Sequence, residues 1–94
     1  MFQVVVTPTA KRLIKKLPRT VRAELVQSSK ALITNPFAGE KLSGSLSFLY
    51  SLHFSCKSVQ YRAVYTIDKN GKQIIIHFVG PRENFYEKVR RLFR

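Results

Sequence analysis

The rhythm of apolar and polar residues changes midway along the chain, near residue 48. Before that point the spacing is largely helical. Phe2-Gln3-Val4-Val5-Val6 is a short run rich in β-branched residues and predicts a strand. Thr7-Pro8 then opens a helix. Thr7 is a capping residue, and Pro8 suits the first helical position, where a backbone N–H has no partner in any case. Ala10, Leu13, Ile14 and Leu17 follow at helical spacing, and Lys11, Arg12, Lys15 and Lys16 occupy the remaining arc. Pro18 ends this helix. A second runs from about Arg19 to Thr34 with a narrow apolar stripe of Val21, Leu25, Leu32 and Ile33, and Ser28 and Ser29 where close approach is possible. Asn35-Pro36 stops it. The short proline-containing connection predicts two antiparallel helices. Phe37–Ser47 has no period and reads as a loop.

From Phe48 the period becomes two. Phe48, Tyr50, Leu52 and Phe54 alternate with Leu49, Ser51, His53 and Ser55, the pattern of a half-buried strand. Cys56 to Gln60 reads as a turn, Tyr61 to Ile67 as a strand, and Asp68-Lys69-Asn70-Gly71 as a hairpin turn. Lys72 to Val79 is the next strand, broken by Gly80-Pro81. Asn84 to Phe93 reads as a helix with Phe85, Val89, Leu92 and Phe93 on one face. The order is β-α-α-β-β-β-α. Three consecutive late strands predict an α+β fold: a small, mainly antiparallel sheet with an N-terminal helical hairpin and a C-terminal helix. Its 94 residues suffice for one domain, 1–94. With the helices on one face of the sheet, the other face is expected to be free for binding.

Charge narrows the function classes. Seventeen Lys and Arg face five acids, for a net charge of +12. Self-repulsion on this scale costs stability, which points to an anionic partner. A domain pI above about 9 is the electrostatic footprint of a nucleic-acid binder. No apolar run approaches the ~18–20 residues of a membrane span, and Met1 to Val6 lacks the pattern of a secretory signal. Cys56, the sole cysteine, excludes an internal disulfide and a multi-cysteine zinc site. A cytoplasmic protein is expected.

The polar set of the alternating strands supplies the candidate chemistry. It contains Ser51 and His53 in one strand and Arg62 in the next. Arg82 follows the Gly80-Pro81 break, and Tyr86 comes four residues later, one turn away if both are helical. Arginine's planar fork binds phosphate oxygens bidentately. Histidine accepts a proton near neutrality, and tyrosine stacks on a base or delivers a proton. No carboxylate cluster or spaced ligand set suggests a metal or another cofactor. The matching reaction is metal-free RNA cleavage, in which the substrate's 2′-hydroxyl attacks the adjacent phosphorus and cations stabilise the transition state. Each residue also has a plain reading: an exposed strand arginine, a helix-start arginine, a packing tyrosine, a solvated histidine. His77, inside Ile74–Val79, reads as a hydrogen-bonded structural histidine, and Cys56 as a structural turn residue. Lys11, Arg12, Lys15 and Lys16, with Lys41 and Lys57, are candidate RNA contacts.

The motifs Lys41-Leu42-Ser43-Gly44, Tyr50-Ser51-Leu52-His53, Tyr61-Arg62-Ala63-Val64-Tyr65 and Val79-Gly80-Pro81-Arg82-Glu83, followed by Tyr86, occur in an order and spacing that resemble the RelE/ParE superfamily of type II toxins. Within it, the resemblance is to the RelE-like mRNA interferases, and it spans nearly the whole chain. It implies a RelE-like microbial RNase fold, cleavage of mRNA in the ribosomal A site, and an acidic antitoxin as partner. By this resemblance Arg62 stands near the scissile phosphate, Arg82 at the transition-state arginine, and Tyr86 at a base-stacking or proton-transferring tyrosine. The family's well-known members carry two lysines where this chain has Ser51 and His53, so His53 becomes the candidate general base. The alternatives are a ParE-like gyrase inhibitor, which shares the fold without cleaving RNA, and a catalytically weak basic RNA-binding module.

Overall fold

The computed structural model describes residues 1–94. Chain order runs β1 (Gln3–Val6), α1 (Pro8–Lys16), α2 (Arg19–Thr34), a 3₁₀ turn (Pro36–Ala38), β2 (Glu40–Lys41), a second 3₁₀ turn (Gly44–Leu46), β3 (Tyr50–Cys56), β4 (Val59–Asp68), β5 (Gln73–Pro81) and α3 (Phe85–Leu92). The α+β reading therefore holds. The five strands form one sheet in the order β1-β5-β4-β3-β2. β1 pairs with β5 in parallel, and every other pair is antiparallel.

Local chemistry sets the ends of α1. The Thr7 side chain accepts from the Ala10 amide at 3.1 Å, and Pro8 occupies the first turn. Lys15 and Lys16 lie in the last turn, where cations suit the helix dipole. Leu17-Pro18 joins α1 to α2. Both helices cover one face of the sheet: Ala10, Val21, Leu25 and Leu32 are buried there against Phe54, Ala63, Tyr65, Ile74, Ile76 and Val79. The buried serine of α2, Ser29, donates to its own helix through the Val26 carbonyl at 2.9 Å.

The opposite face is not free, contrary to the sequence expectation. Val64 and Phe78 point to it, and such apolar residues require cover. Leu46, Leu49, Phe85 and Val89 supply it, forming a second buried cluster under α3. A β-bulge shapes this face. Val64 pairs with Phe78 but Tyr65 pairs with Ile76, leaving His77 as the extra residue. His77 hydrogen-bonds Thr66 (Nε2 to Oγ1, 2.8 Å) and meets the edge of Phe93, while Phe78 packs on Phe85. Its imidazole is held below the ordinary histidine pKa by burial. The structural reading of His77 matches this environment.

Three local expectations change. Phe37–Ser47 is not a plain loop but contains β2 and the two 3₁₀ turns, because the main chain of Glu40 and Lys41 pairs with Ser51 and Tyr50. Gly44 sits there at φ +65°, a conformation glycine adopts without steric cost. Cys56 is not in a turn: it ends β3, half-buried against the main core. The turn itself is Lys57-Ser58, both at positive φ (51° and 68°), as a two-residue type I′ hairpin requires. Finally, Gly80-Pro81 does not break β5. The strand runs through both residues, and the Arg82 amide continues the ladder by donating to the Gln60 carbonyl at 2.9 Å.

Candidate anion site at the end of the sheet

Strand register places the central pair. His53 of β3 and Arg62 of β4 are directly opposite one another, which puts their Cβ atoms roughly 4.5–5.5 Å apart on one face. They lie beyond the cover of Leu46, Leu49 and α3, so His53 is exposed and Arg62 half-buried. α3 then brings Tyr86 alongside. Arg62 Nη1 donates to the Tyr86 hydroxyl at 2.8 Å, and its Cζ lies 5.1 Å from the centroid of the same ring. Tyr86 is oriented in turn by Phe85, whose buried ring meets it edge-on.

These three residues line one cavity of about 380 Å³. That is the lower part of the ~300–1,000 Å³ range of small-ligand sites. The edge strand β2 and its continuation supply Glu40, Lys41, Leu42 and Ser43 to the lining, and Leu46 adds an apolar contribution. Arg90 completes the lining. It stands one helical turn from Tyr86, so the two share a flank of α3. Lys41, Arg62 and Arg90 thus oppose a single acid, Glu40, with His53 among them. No three His, Cys, Asp or Glu side chains come together anywhere in the chain. The lining chemistry suits an anion with several oxygens, and a planar group that can stack on Tyr86.

Arg82 lies elsewhere. It is not on α3, because its backbone still follows β5. In register it falls two rungs beyond the His53–Arg62 row, opposite Gln60. Its exposed side chain lines an adjacent, open concavity with Ser58, Val59, Gln60, Glu83 and Asn84. Ser51 also departs from expectation. It faces the covered part of the sheet, is 1% exposed, and its hydroxyl has no hydrogen-bond partner. The alternation does place it on the same face as His53, but α3 and Leu49 close over that segment.

The other candidate RNA contacts spread over the surface. Lys41 lines the cavity and its ammonium lies 5.7 Å from the Tyr50 ring centroid. Lys57 is exposed in the β3–β4 turn. Lys11, Arg12, Lys15 and Lys16 are exposed on α1, which packs on the opposite face of the sheet. Of these, Lys16 reaches round to line a depression with Lys88 of α3, beside the end of β5 that β1 leaves unpaired. Sequence reasoning missed Arg90. The signal was its position four residues after Tyr86.

A family model described as "ParE-like toxin of type II bacterial toxin-antitoxin system" matches residues 4–90. The chain belongs to this family. Solved structures agree with the match. The toxin-antitoxin complex RelBE2 from Mycobacterium tuberculosis contains a chain 29% identical, with a TM-score of 0.75, over 86% of this chain and 98% of that one. The isolated E. coli RelE toxin is 25% identical with a TM-score of 0.71, over 98% of this chain and 99% of that one. An archaeal RelE-RelB complex from Pyrococcus horikoshii OT3 shares the fold at 21% identity, with a TM-score of 0.62, over 87% and 96% of the two chains. No curated protein matches at the corresponding level. The RelE/ParE resemblance of the motifs is thus matched by sequence family and by fold. This ParE-like toxin has no helix long and apolar enough to cross a membrane.

Proposed function

We propose that this toxin is a ribosome-dependent mRNA endoribonuclease that cuts in the A site and thereby inhibits translation. The observation that carries the reading is the convergence of His53, Arg62 and Tyr86 in one cationic cavity. A scissile phosphate fits there as the anion, and the adjacent base as the planar group.

In the proposed reaction the 2′-oxygen of the substrate bonds to the neighbouring phosphorus as His53 takes its proton. The bond from phosphorus to the 5′-oxygen breaks, and that oxygen leaves as a hydroxyl. Arg62 stabilises the charge that builds on the phosphoryl oxygens. Tyr86 uses its oxygen to accept from Arg62, which leaves its own O–H free to protonate the leaving group or its ring free to stack. Arg82, two rungs away and exposed, adds a second guanidinium to the phosphate once substrate is seated. The products are a 2′,3′-cyclic phosphate and a 5′-hydroxyl. The 2′-hydroxyl requirement restricts the reaction to RNA.

Alignment of the mRNA by the ribosome suits so small a site, since positioning alone supplies several kcal/mol of a barrier. The +12 charge draws the protein to ribosomal RNA, with Lys11, Arg12, Lys15, Lys16 and Lys57 as outlying contacts. It equally suits an acidic antitoxin as the neutralising partner, and a cytoplasmic location follows from both partners. The relatives' structures include toxin-antitoxin complexes, which supports that pairing.

Primer extension on mRNA-programmed ribosomes tests the reading. New 5′ ends inside the A-site codon are expected only with ribosomes present and only with Arg82 intact, so Arg82→Ala abolishes them. Folded wild-type protein that leaves the mRNA whole overturns the reading. A ParE-like gyrase inhibitor, the reading closest to the family description, would then be tested on purified gyrase, and its toxicity would survive Arg62→Ala.

A further inference from the structure

The cavity does not end at α3. Arg90 and Leu46 line it on one side and a second concavity, of about 320 Å³, on the other. Phe48, Phe93 and Arg94 form the far wall of this second space, with Ser45 at its rim. Phe93 is fixed by two edge-on contacts, to His77 beneath it and to Phe48 at 5.3 Å between centroids. Phe48 itself is 50% exposed. The alternation of its strand suggests a core residue, yet β3 begins only at Tyr50 and leaves Phe48 on the surface.

A half-exposed aromatic ring that shares a concavity with two arginines has the chemistry of a single-stranded nucleotide site. Every base offers a face for stacking, and each phosphate pairs with a cation. Glu40 lines the first cavity, but no acid lines the second. Because Arg90 is common to both spaces, a polymer that repeats its phosphates can occupy them together. We propose that a nucleotide flanking the reacting phosphate of single-stranded RNA stacks on Phe48 and places its phosphate on Arg90 and Arg94. This subsite rests on the reading of the first cavity as the RNA cleavage site. It gives the toxin a way to grip mRNA beyond the cut nucleotide pair.

The test is fluorescence anisotropy at low salt with the whole chain and two 2′-O-methyl oligoribonucleotides, of three and five nucleotides, which cannot be cleaved. Wild type is expected to bind the longer probe at least ~5-fold more tightly, the lower end of the stacking contribution of one base. Phe48→Ala and Arg94→Gln should erase that gain while leaving the trinucleotide affinity unchanged, and Phe48→Tyr should restore it. For the longer probe, Arg94→Gln should lower the salt slope by about 0.7, the value for one lost phosphate contact on a single strand. Equal affinity for the two probes in wild type, or a gain that survives Phe48→Ala, overturns the subsite. If Arg62→Ala leaves trinucleotide binding unchanged, the reading of the first cavity fails, and the subsite with it. A hepta-glutamate peptide whose binding depends on Phe48 and Arg94 when the RNA gain does not would assign this face to a protein partner and overturn the proposal.

Discussion

Arg62 and Tyr86 hold one another across a gap of 24 residues in sequence: the guanidinium donates to the phenol oxygen and lies over the same ring, 5.1 Å from its centroid. The arginine is therefore aimed by a phenol, not neutralised by a carboxylate, and keeps its full charge for a substrate. The tyrosine pins the arginine without consuming its other donors, of which a guanidinium has five.

This pairing predicts different losses for different substitutions. Arg62→Ala should lower ribosome-dependent cleavage by about 10²–10³-fold, the usual cost of removing one preorganised donor to a developing charge. Arg62→Lys should recover little, because an ammonium cannot keep the Tyr86 bond and bind phosphate bidentately. Tyr86→Phe retains the ring and the stacking surface, so its loss should be the smaller one. Single-turnover cleavage rates on programmed ribosomes order the three variants. A rate for Arg62→Ala equal to wild type would remove Arg62 from the mechanism.

Tyr65 should prove important to the wall of the cavity although it lies outside it. Its hydroxyl donates to the Pro36 carbonyl at 2.8 Å and accepts from the Gly39 amide at 3.0 Å, with the ring fully buried and the phenol pKa raised by that burial. Tyr65→Phe strands both backbone groups just before β2. The expected cost is about 1–3 kcal/mol in urea unfolding. Faster amide exchange at Gly39 and Lys41 should accompany it.

Ser51 predicts an effect of the opposite sign. Its hydroxyl is buried without a partner, so folding strips it of water and returns nothing. Ser51→Ala should stabilise the protein by about 1 kcal/mol, with cleavage unaffected. Thermal unfolding followed by circular dichroism reads this directly, and a fall in Tm would show that the hydroxyl has a partner in solution.

His77 should make stability fall in mild acid. Burial depresses its pKa below the ordinary 6.5, so the unfolded chain takes up a proton at a pH where the folded one does not. Stability is therefore complete above about pH 6.5 and declines as pH drops from there towards the folded-state pKa. His77→Gln should flatten that part of the profile. Urea midpoints between pH 5 and 8 for the two proteins test the assignment, and identical slopes would exclude His77.

The elements were largely legible because their signals are local. Thr7-Pro8 caps and starts α1, Asn35-Pro36 ends α2, and alternation from Tyr50 to Phe54 defines β3, each within a window of a few residues. Errors arose where partners are distant. β2 is two residues long and forms only because Ser51 and Tyr50 present an open edge. Pro81 stays in β5 because the Arg82 amide finds Gln60 across the sheet. That bond also moves Arg82 off the helix that its spacing from Tyr86 suggested.

The candidate site divides in the same way. His53, Arg62 and Tyr86 were readable as chemistry, and the +12 charge as a demand for an anionic partner, since residue type and net charge need no fold to be counted. Ser51 and His53 looked equivalent, two polar residues on one strand face. Only the packing of Leu49 and α3 buried the first and left the second open. Arg90 entered, and Arg82 stepped aside, through the crossing of α3 over the sheet and the register of β4 with β5. By itself the sequence determined the helices, the strands, the basic surface and the residue types of the site, because 3.6- and 2-residue periods are written in neighbouring positions. Tertiary structure decided which face is covered, which cations converge and where the cavity continues, because register, bulge and helix crossing are set by contacts between residues far apart in the chain.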